Sequence, residues 1–356
     1  MRLALAWAAK GLFSTSPNPH IGCVIVRDGQ VIGAGVTQAA GSDHAEIQAL
    51  KDAQARGHDV RGATAYVTLE PCNHFGRTPP CSDALVRAGL GRVVAAMEDP
   101  NPLVAGQGMA KLAAAGIAVS TGLLAEQAYE LNIGFFSRMR RGLPWVRMKT
   151  AASLDGMTAL HNNQSQWITG PEARADGHAW RARACAILTG IGTVKADDPQ
   201  LNVRGVETPR QPRRIVVDSR LDIDPSARVL AGGGSWIVAA VPHPEKEAAL
   251  RAAGAEIIML PNPAGKVDLP ELMRELGRRQ INELHVEAGG KLNGSLLREG
   301  CVDELLVYLA PTLLGDAQGM FALPALTSLD QQMRLKFHEV QQVGSDLRIL
   351  ARFNPL

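Results

Sequence analysis

The sequence predicts two α/β domains that meet near residue 143. The chain has 356 residues, more than the roughly 250–300 at which a single hydrophobic core stops growing. Strand-like and helix-like segments alternate along it, and Gly142-Leu143-Pro144 interrupts a helical pattern between the two halves. With 46% hydrophobic and 20% charged residues, the composition is that of an ordinary globular protein. We therefore expect domains at residues 1–142 and 143–356.

The first half begins with an amphipathic helix and continues with strands and helices. Two apolar segments flank Asp28-Gly29, a dipeptide typical of a tight β-hairpin. Apolar spacing predicts strands at 21–26, 31–36, 63–69, 92–97 and 117–119, and helices at 44–54, 82–88 and 109–115. This order predicts a three-layer α/β/α sandwich around a mixed sheet.

The second half predicts another α/β domain by the same criteria. Its predicted strands are 145–150, 186–189, 214–217, 236–240, 256–260, 284–287 and 304–309, and its predicted helices are 171–184, 244–253, 269–279 and 292–299. No internal repeat or low-complexity segment interrupts this order.

A metal site is predicted by His44-Ala45-Glu46, followed by Pro71-Cys72 and Cys81. One imidazole and two thiolates leave the fourth position of a tetrahedral zinc ion for water, as in catalytic sites. Zinc lowers the pKa of that water from about 15.7 to about 7. Glu46, beside the first ligand, can move protons between the water and a leaving amine. An H-x-E element followed by P-C and a second Cys is the pattern of zinc nucleobase deaminases.

The spacing between the two cysteines leaves alternatives open. Nucleobase deaminases commonly carry P-C-x-x-C, whereas eight residues rich in turn formers separate Cys72 from Cys81. We interpret them as a loop that returns Cys81 to the start of a helix. The alternatives are a structural zinc site closed by Cys23 or His74, and two core cysteines without a metal.

The second half lacks the G-x-G-x-x-G fingerprint of dinucleotide-binding domains. Ala288-Gly289-Gly290-Lys291 nevertheless joins a predicted strand to a helix, where backbone amides suit a phosphate. Gly190-Ile191-Gly192-Thr193 and Asp197-Asp198-Pro199 form a second polar segment, which we expect to be a binding loop near Arg204. The alternative for both segments is a plain turn or a solvated connector.

Composition excludes several other classes of protein. The formal charge of +2, with basic residues clustered only at 138–147, argues against a nucleic-acid partner. No apolar segment approaches the roughly 18 residues that a membrane span needs. Five cysteines, two of them assigned to a metal, indicate a reducing compartment. We therefore expect a cytoplasmic protein that does not act on membranes.

The motifs on both sides of residue 143 resemble those of the bifunctional deaminase–reductases of riboflavin biosynthesis. In the first half the resemblance rests on Ser16-Pro17-Asn18-Pro19, His44-Ala45-Glu46, Glu70-Pro71-Cys72, His74, the run from Gly76 to Cys81, and Asp99-Pro100-Asn101-Pro102. In the second half it rests on Lys149, residues 153–156, residues 165–169, Gly192-Thr193, residues 197–199, Leu201, Arg204 and residues 287–295. The long insert between the two cysteines is part of this family's pattern.

The resemblance implies a cytidine-deaminase-like first domain and a second domain similar to dihydrofolate reductase. It implies two reactions on a small phosphorylated ribosylaminopyrimidine. Zinc-dependent hydrolysis first replaces a ring amino group, and NADPH then reduces the ribosyl group to a ribityl chain. Because dihydrofolate-reductase-like domains bind NADPH without a Rossmann fingerprint, the missing glycine motif agrees with this assignment. NADPH rather than NADH is implied by the resemblance alone.

The resemblance also carries over individual residues. The zinc ligands are His44, Cys72 and Cys81, and the proton shuttle is Glu46. Asn18, His74 and Arg77 correspond to the pyrimidine and phosphate pocket of the deaminase. The cofactor contacts of the reductase correspond to Ala151, Trp167, Thr193, Asp197, Ser219, Gly289, Gly290, Lys291, Leu292, Asn293, Gly294 and Ser295. Its substrate contacts correspond to Lys149, Ser165, Arg181, Leu201, Arg204 and Glu287.

Three points depart from the family or stay open. Asp43 stands before His44, where proline is usual, and its carboxylate could alter the surroundings of the zinc ligand. Assembly into a homo-oligomer agrees with the family, although no apolar stripe in the sequence decides it. The alternative function is a zinc deaminase of nucleic-acid bases with a non-catalytic second half.

Overall fold

The computed structural model describes residues 1–76, 78–101 and 105–353. The chain forms two compact units, residues 1–142 and 143–356. Each unit contains a β-sheet with its own hydrophobic core.

The first unit is built on a five-stranded sheet. Its elements are α1 (Arg2–Ala9), β1 (Gly22–Arg27), β2 (Gln30–Val36), α2 (Ala45–Ala55), β3 (Thr64–Val67), α3 (Cys81–Arg87), β4 (Arg92–Ala95), α4 (Gln107–Ala114), β5 (Ala118–Ser120), α5 (Ala125–Leu131) and α6 (Ile133–Arg141). The strand order is β2-β1-β3-β4-β5. β1 is antiparallel to β2 and β3, whereas β3, β4 and β5 are parallel.

The predicted three-layer sandwich is confirmed by close contacts on opposite faces of this sheet. A Cβ on Gly22 would lie 2.0 Å from the carbonyl oxygen of Ala4 in α1, and one on Gly35 would lie 2.5 Å from that of Ala45 in α2. Cys23 is the register partner of Gly35 and shares its face. Because successive residues of a strand point to opposite faces, α1 and α2 cover different sides. The predicted hairpin is also present, with positive φ at Asp28 and Gly29.

The second unit contains a nine-stranded sheet. Its elements are β6 (Trp145–Ser153), β7 (Met157–Ala159), α7 (Pro171–Arg183), β8 (Ala186–Gly190), α8 (Ile191–Asp197), β9 (Arg213–Val217), β10 (Trp236–Ala239), α9 (Pro244–Ala252), β11 (Glu256–Met259), α10 (Leu269–Arg278), β12 (Glu283–Val286), α11 (Gly290–Arg298), β13 (Glu304–Ala310), β14 (Gln318–Gly319), β15 (Leu335–Val343) and β16 (Asp346–Phe353). The order of the large sheet is β11-β10-β9-β8-β12-β6-β13-β16-β15.

Helices cover both faces of this sheet. One apolar cluster joins α10 and α11 to side chains such as Met148 and Val286. On the opposite face α8 and α9 pack around Ile187 and Val216, and α7 packs over Leu306 and Tyr308. The strands from β11 to β13 are parallel, and β16 and β15 add an antiparallel edge. This arrangement agrees with the expected reductase fold.

The loop predicted after Gly190 is wrong, because Ile191–Asp197 form helix α8. Burial of Val194 against Ile187 and its neighbours on the sheet stabilises this turn of helix. Thr193 and Asp197 therefore lie on a helix, and the chain reverses only at Asp198, which has a positive φ.

Candidate active sites

The three predicted zinc ligands come together in the first unit. Their ligand atoms all lie within 4.8 Å of one another. His44 Nδ1 is 3.6 Å from Cys72 Sγ and 3.4 Å from Cys81 Sγ, so this ring nitrogen faces both sulfurs. His44 Nε2 points away from them and is 3.5 Å from the hydroxyl of Thr78. One nitrogen and two sulfurs in this arrangement suit zinc with an open fourth position.

Three different elements position these ligands. His44 is the N-cap residue of α2, Cys81 is the first residue of α3, and Cys72 lies in the segment that follows β3. The amide of Cys81 donates to Cys72 Sγ at 3.3 Å, and the amide of Ser82 donates to the carbonyl of Cys72 at 3.1 Å. The start of α3 is thus attached to Cys72, and the predicted return of Cys81 to a helix start is confirmed.

Glu46 lies in the first turn of α2, and only 2% of its surface is exposed. Its Oε2 is buried and has no hydrogen-bond partner among the described residues. Burial raises the pKa of Glu46 to about 7, and the nearby charge of Cys72 adds to the effect. Hydrogen bonds from Cys81 and from His44 lower the pKa of Cys72 below its usual range. The sulfur of Cys72 and the carboxyl group of Glu46 therefore lie close enough for their charges to interact.

The structure also bears on the alternatives and on Asp43. Among the described residues, the group of side chains able to hold a metal consists of the three predicted ligands, without Cys23 or His74. Asp43 accepts hydrogen bonds from Gln48 at 2.8 Å and from Lys51 at 2.5 Å. Its carboxylate is thus engaged along α2, which gives it partners other than the zinc histidine.

Two of the three residues predicted to line the deaminase pocket, Asn18 and His74, lie within the described part of the chain. Asn18 is half-buried in the turn before β1, where its carbonyl accepts from the Thr15 hydroxyl at 3.4 Å. His74 is half-buried in the loop between the cysteines, and its Nδ1 is buried without a hydrogen-bond partner among the described residues. Arg77 lies outside the described residues.

In the second unit, Lys149, Arg181 and Glu287 form a charged cluster on the sheet face covered by α7. Arg181 donates to both oxygens of Glu287, at 2.5 and 2.7 Å. The amide of Glu287 donates to the carbonyl of Leu188 at 2.8 Å, which fixes it directly after β12. Val286 is the register partner of Met148, so Glu287 follows in line with Lys149. Burial lowers the pKa of Lys149, while the charge of Glu287 opposes that shift.

Arg204 lies near this cluster through Asn202. Arg181 Nη1 donates to the Asn202 carbonyl at 3.0 Å, and Arg204 Nη1 donates to the Asn202 side chain at 2.5 Å. Leu201, before Asn202, is buried with a φ of 48°. Ser165 lies in the segment before α7, together with Trp167, whose side chain is 69% exposed and stacks on Arg174 at 4.4 Å. Arg181 is thus half-buried and paired, whereas Arg204 is exposed.

The residues predicted to bind the cofactor lie at the carboxyl ends of neighbouring strands. β8 leads into α8 with Thr193 and Asp197, and β12 leads into α11, which begins at Gly290 and carries Lys291, Leu292, Asn293, Gly294 and Ser295. Open α/β sheets bind ligands at such positions. A Cβ on Gly289 would meet no atom closer than Thr193 Oγ1 at 3.8 Å, and one on Gly192 would meet none within 4 Å. This open space beside a helix N-terminus suits a phosphate of NADPH.

The remaining cofactor residues have other surroundings. Ala151 lies on β6 opposite Tyr308 of β13, and Ser219 follows β9, where its hydroxyl accepts from the Val267 amide at 3.3 Å. A Cβ on Gly294 would lie 2.2 Å from the carbonyl oxygen of Ala322. The missing side chain at Gly294 is therefore required by packing against the segment after β14.

Sequence reasoning gave no role to a buried ion cluster beneath α7. Arg147 binds Glu283 at 2.8 Å and Glu304 on the other side, and Arg352 binds Glu304 at 2.7 Å. Arg147, Glu283 and Glu304 lie on three different strands, β6, β12 and β13. Their proximity can therefore be recognised only when the register of these strands is known. Burial opposes ionisation of Glu304, but the charges of Arg147 and Arg352 hold its pKa below the usual range.

We expect this cluster to make the second unit sensitive to acid. A carboxylate with a depressed pKa contributes stability above its unfolded pKa, about 4.3 for Glu, and loses it as pH falls through the folded pKa. The free energy of unfolding should therefore decrease below about pH 4.3, and Glu304→Gln should remove part of that decrease. Urea denaturation of the full chain across this pH range measures both. An unchanged pH dependence in the variant would contradict the assignment, and Glu339→Gln, on the exposed strand β15, is the control.

Comparisons with known proteins agree with this geometry. The model of the cytidine and deoxycytidylate deaminase zinc-binding region matches residues 1–97. The model of the RibD C-terminal domain matches residues 144–349. The riboflavin biosynthesis protein RibD of Escherichia coli strain K12 is 48% identical over 360 aligned positions, which cover 98% of this chain and 96% of the relative. The chain belongs to the RibD family.

Two solved structures are similar to this RibD family member over nearly its whole length. RibD of Acinetobacter baumannii has a TM-score of 0.91 with 42% identity, and the match covers 99% of this chain and 98% of that chain. The diaminohydroxyphosphoribosylaminopyrimidine deaminase/5-amino-6-(5-phosphoribosylamino)uracil reductase of Thermotoga maritima has a TM-score of 0.88 with 31% identity, covering 99% and 97%.

Membership of the RibD family confirms the main functional predictions. The chain is a bifunctional deaminase and reductase of riboflavin biosynthesis, with a zinc-binding deaminase domain and a reductase domain of a type that uses NADPH. Its substrate is a small molecule, which argues against the nucleic-acid alternative. Within the described ranges, no helix combines the length and apolar character needed to cross a membrane.

Proposed function

We propose that residues 1–142 carry the deaminase activity and residues 143–356 the reductase activity, on a phosphorylated ribosylaminopyrimidine. The observation that supports the first assignment most strongly is the meeting of His44, Cys72 and Cys81 beside the buried carboxyl group of Glu46. The charged cluster of Lys149, Arg181 and Glu287 supports the second.

In the deaminase, His44 would bind zinc through Nδ1, together with the sulfurs of Cys72 and Cys81. Zinc, when bound, supplies the Lewis acid that lowers the pKa of a water molecule. Glu46 accepts one proton from the attacking water at Oε2 and delivers it to the departing amino group. The second water proton ends on the neighbouring ring nitrogen, so the ring gains an oxo group and the amino group leaves as ammonia. Asn18, His74 and Arg77 hold the pyrimidine and its phosphate in this proposal.

In the reductase, NADPH would supply, when bound, the hydride that together with a proton from water converts the ribosyl group to ribityl. Ala151, Trp167, Thr193, Asp197, Ser219 and the segment from Gly289 to Ser295 are proposed to hold the cofactor. Lys149, Ser165, Arg181, Leu201, Arg204 and Glu287 are proposed to hold the substrate. Because Glu287 already neutralises Arg181, the exposed guanidinium of Arg204 is the better partner for the phosphate.

The role of Arg204 is tested by comparing phosphorylated with dephosphorylated substrate. Arg204→Gln should lower kcat/KM for reduction of the phosphorylated, deaminated substrate by about 10- to 100-fold, since a hydrogen bond to a charged group contributes about 1.5–3 kcal/mol. The dephosphorylated substrate should be reduced equally by the variant and the wild type. NADPH oxidation measures both rates, and Arg274→Gln, on the surface of α10, is the control. An equal loss with both substrates would contradict phosphate binding by Arg204.

We also propose that the chain forms a homo-oligomer in the cytoplasm. β15 is the edge strand of the large sheet, and nearly all of its side chains are exposed. Phe337 is 75% exposed and Val340 is 54% exposed. An exposed edge strand with apolar side chains favours pairing with another chain, and a second copy of this chain is the partner we propose.

A further inference from the structure

The buried carboxylate of Glu70 accepts four hydrogen bonds from backbone amides. Oε2 accepts from the amides of Asp99 at 3.1 Å and Gly106 at 2.9 Å, and Oε1 accepts from those of Gly108 at 2.8 Å and Met109 at 3.2 Å. Only 1% of Glu70 is exposed. Its own amide donates to the carbonyl of Met97 at 3.0 Å. Glu70 therefore joins the segment after β3 to the segments on both sides of residues 102–104.

Glu70 takes the place of a capping residue for α4. The N-cap residue of α4 is Gly106, which has no side chain to accept the free amides of the first turn. Gly108 and Met109 are the second and third residues of this helix, the positions whose amides an N-cap side chain normally accepts. A negative charge at this end of the helix is also favoured by the helix dipole.

The same contact places α4 directly against the zinc-binding segment. A Cβ on Gly108 would lie 1.9 Å from the carbonyl oxygen of Pro71, so the first turn of α4 touches the residue between Glu70 and Cys72. Cys72 in turn accepts the amide of Cys81. A change in the position of Glu70 would therefore also move Pro71 and the sulfur atom of Cys72.

We propose that Glu70 is a positioning residue for deamination, because it fixes Pro71 and the zinc ligand Cys72 against the start of α4. This inference rests on the proposed zinc-dependent deaminase. Glu70 does not touch the reacting atoms in this account. It acts through Cys72, and the groups that hold a metal ligand in place commonly change metal affinity or activity by about 10- to 100-fold when they are replaced.

The test replaces Glu70 with Gln, which has nearly the same size but offers one acceptor oxygen and brings an NH₂ group to two backbone amides. Glu70→Gln should lower kcat of deamination by about 10- to 100-fold, with reduction of pre-deaminated substrate unchanged. It should also shift the visible absorption bands of the cobalt-substituted chain and speed amide hydrogen exchange at Gly108 and Met109. Glu70→Asp, which keeps the charge on a shorter side chain, should show the same changes to a smaller extent.

The matched control is Asp52→Asn. Asp52 also accepts a backbone amide in the first unit, from Ala34 at 2.9 Å, but it lies on α2 away from α4. This variant should keep the wild-type kcat and the wild-type cobalt spectrum, which separates a local effect at the metal from a general loss of stability.

Three outcomes would overturn the proposal. They are deamination within about twofold of wild type in Glu70→Gln, loss of activity with an unchanged cobalt spectrum, and loss of the folded first unit in both Glu70 variants, which would make Glu70 a folding residue. A wild-type chain that releases no ammonia would instead contradict the proposed deaminase itself. The two failures are therefore distinguishable.

Discussion

Replacing Glu46 with Gln should lower kcat of deamination by about 10²–10⁴-fold, the contribution that a positioned acid–base group makes. Glu46 is buried, and its Oε2 has no hydrogen-bond partner among the described residues. The amide of Gln cannot carry a proton from water to the leaving amine. Ammonia release from the ribosylaminopyrimidine phosphate measures the loss.

The second unit provides an internal control for this variant. Reduction of pre-deaminated substrate should proceed at the wild-type rate in Glu46→Gln, because the proposed reductase residues all lie beyond residue 143. Asp52→Asn, whose side chain accepts the Ala34 amide at 2.9 Å and lies further along α2, should leave both activities unchanged. Equal loss of both activities in Glu46→Gln would argue against two separate sites.

Replacing Glu287 with Gln should have the largest effect in the second unit. The Arg181–Glu287 pair is 16% exposed on each side, and Lys149 lies beside it with a pKa lowered by burial. Removing one partner of a buried ion pair costs about 3–5 kcal/mol, since the other charge stays buried without compensation. We expect a loss of that size in the free energy of unfolding of the second unit, together with loss of reduction.

Urea denaturation and NADPH oxidation measure the two effects of Glu287→Gln. Deamination should be retained under native conditions, because its residues lie in the other compact unit. Glu271→Gln is the matched control, since Glu271 pairs with Arg274 and Arg278 on the exposed side of α10, and it should leave the unfolding midpoint unchanged. A Glu287 variant with wild-type stability and wild-type reduction would contradict the proposed role of this cluster.

The sequence was sufficient to predict the zinc centre because its ligands occupy short local motifs. His44 is the N-cap residue of α2 and Glu46 lies in the first turn of that helix, and Cys81 begins the next helix after a turn-rich loop. Residue chemistry and turn signals therefore favoured His44, Cys72 and Cys81 as ligands, whereas the alternatives with Cys23 or His74 required the structure to compare the positions of these side chains. The charged cluster of the reductase was assigned only through family resemblance, since Lys149, Arg181 and Glu287 are far apart in the chain.

The parts that could not be predicted depend on long-range packing. Glu70 was recognised only as part of a motif, because its four hydrogen-bond donors lie 29 to 39 residues away. The strand β15 was missed because an edge strand exposed on both faces has no clear alternation of apolar and polar residues. The helix α8 was taken for a loop, since its only buried side chain, Val194, is stabilised by contacts with the sheet.

The most direct test of the two-site account follows ammonia release and NADPH oxidation together, before and after removal of the metal with a chelator. The account predicts that the metal-free chain releases no ammonia from the ribosylaminopyrimidine phosphate but still oxidises NADPH when given the deaminated substrate. Added zinc should restore ammonia release. Ammonia release that persists without metal, or a parallel loss of both activities, would contradict the account.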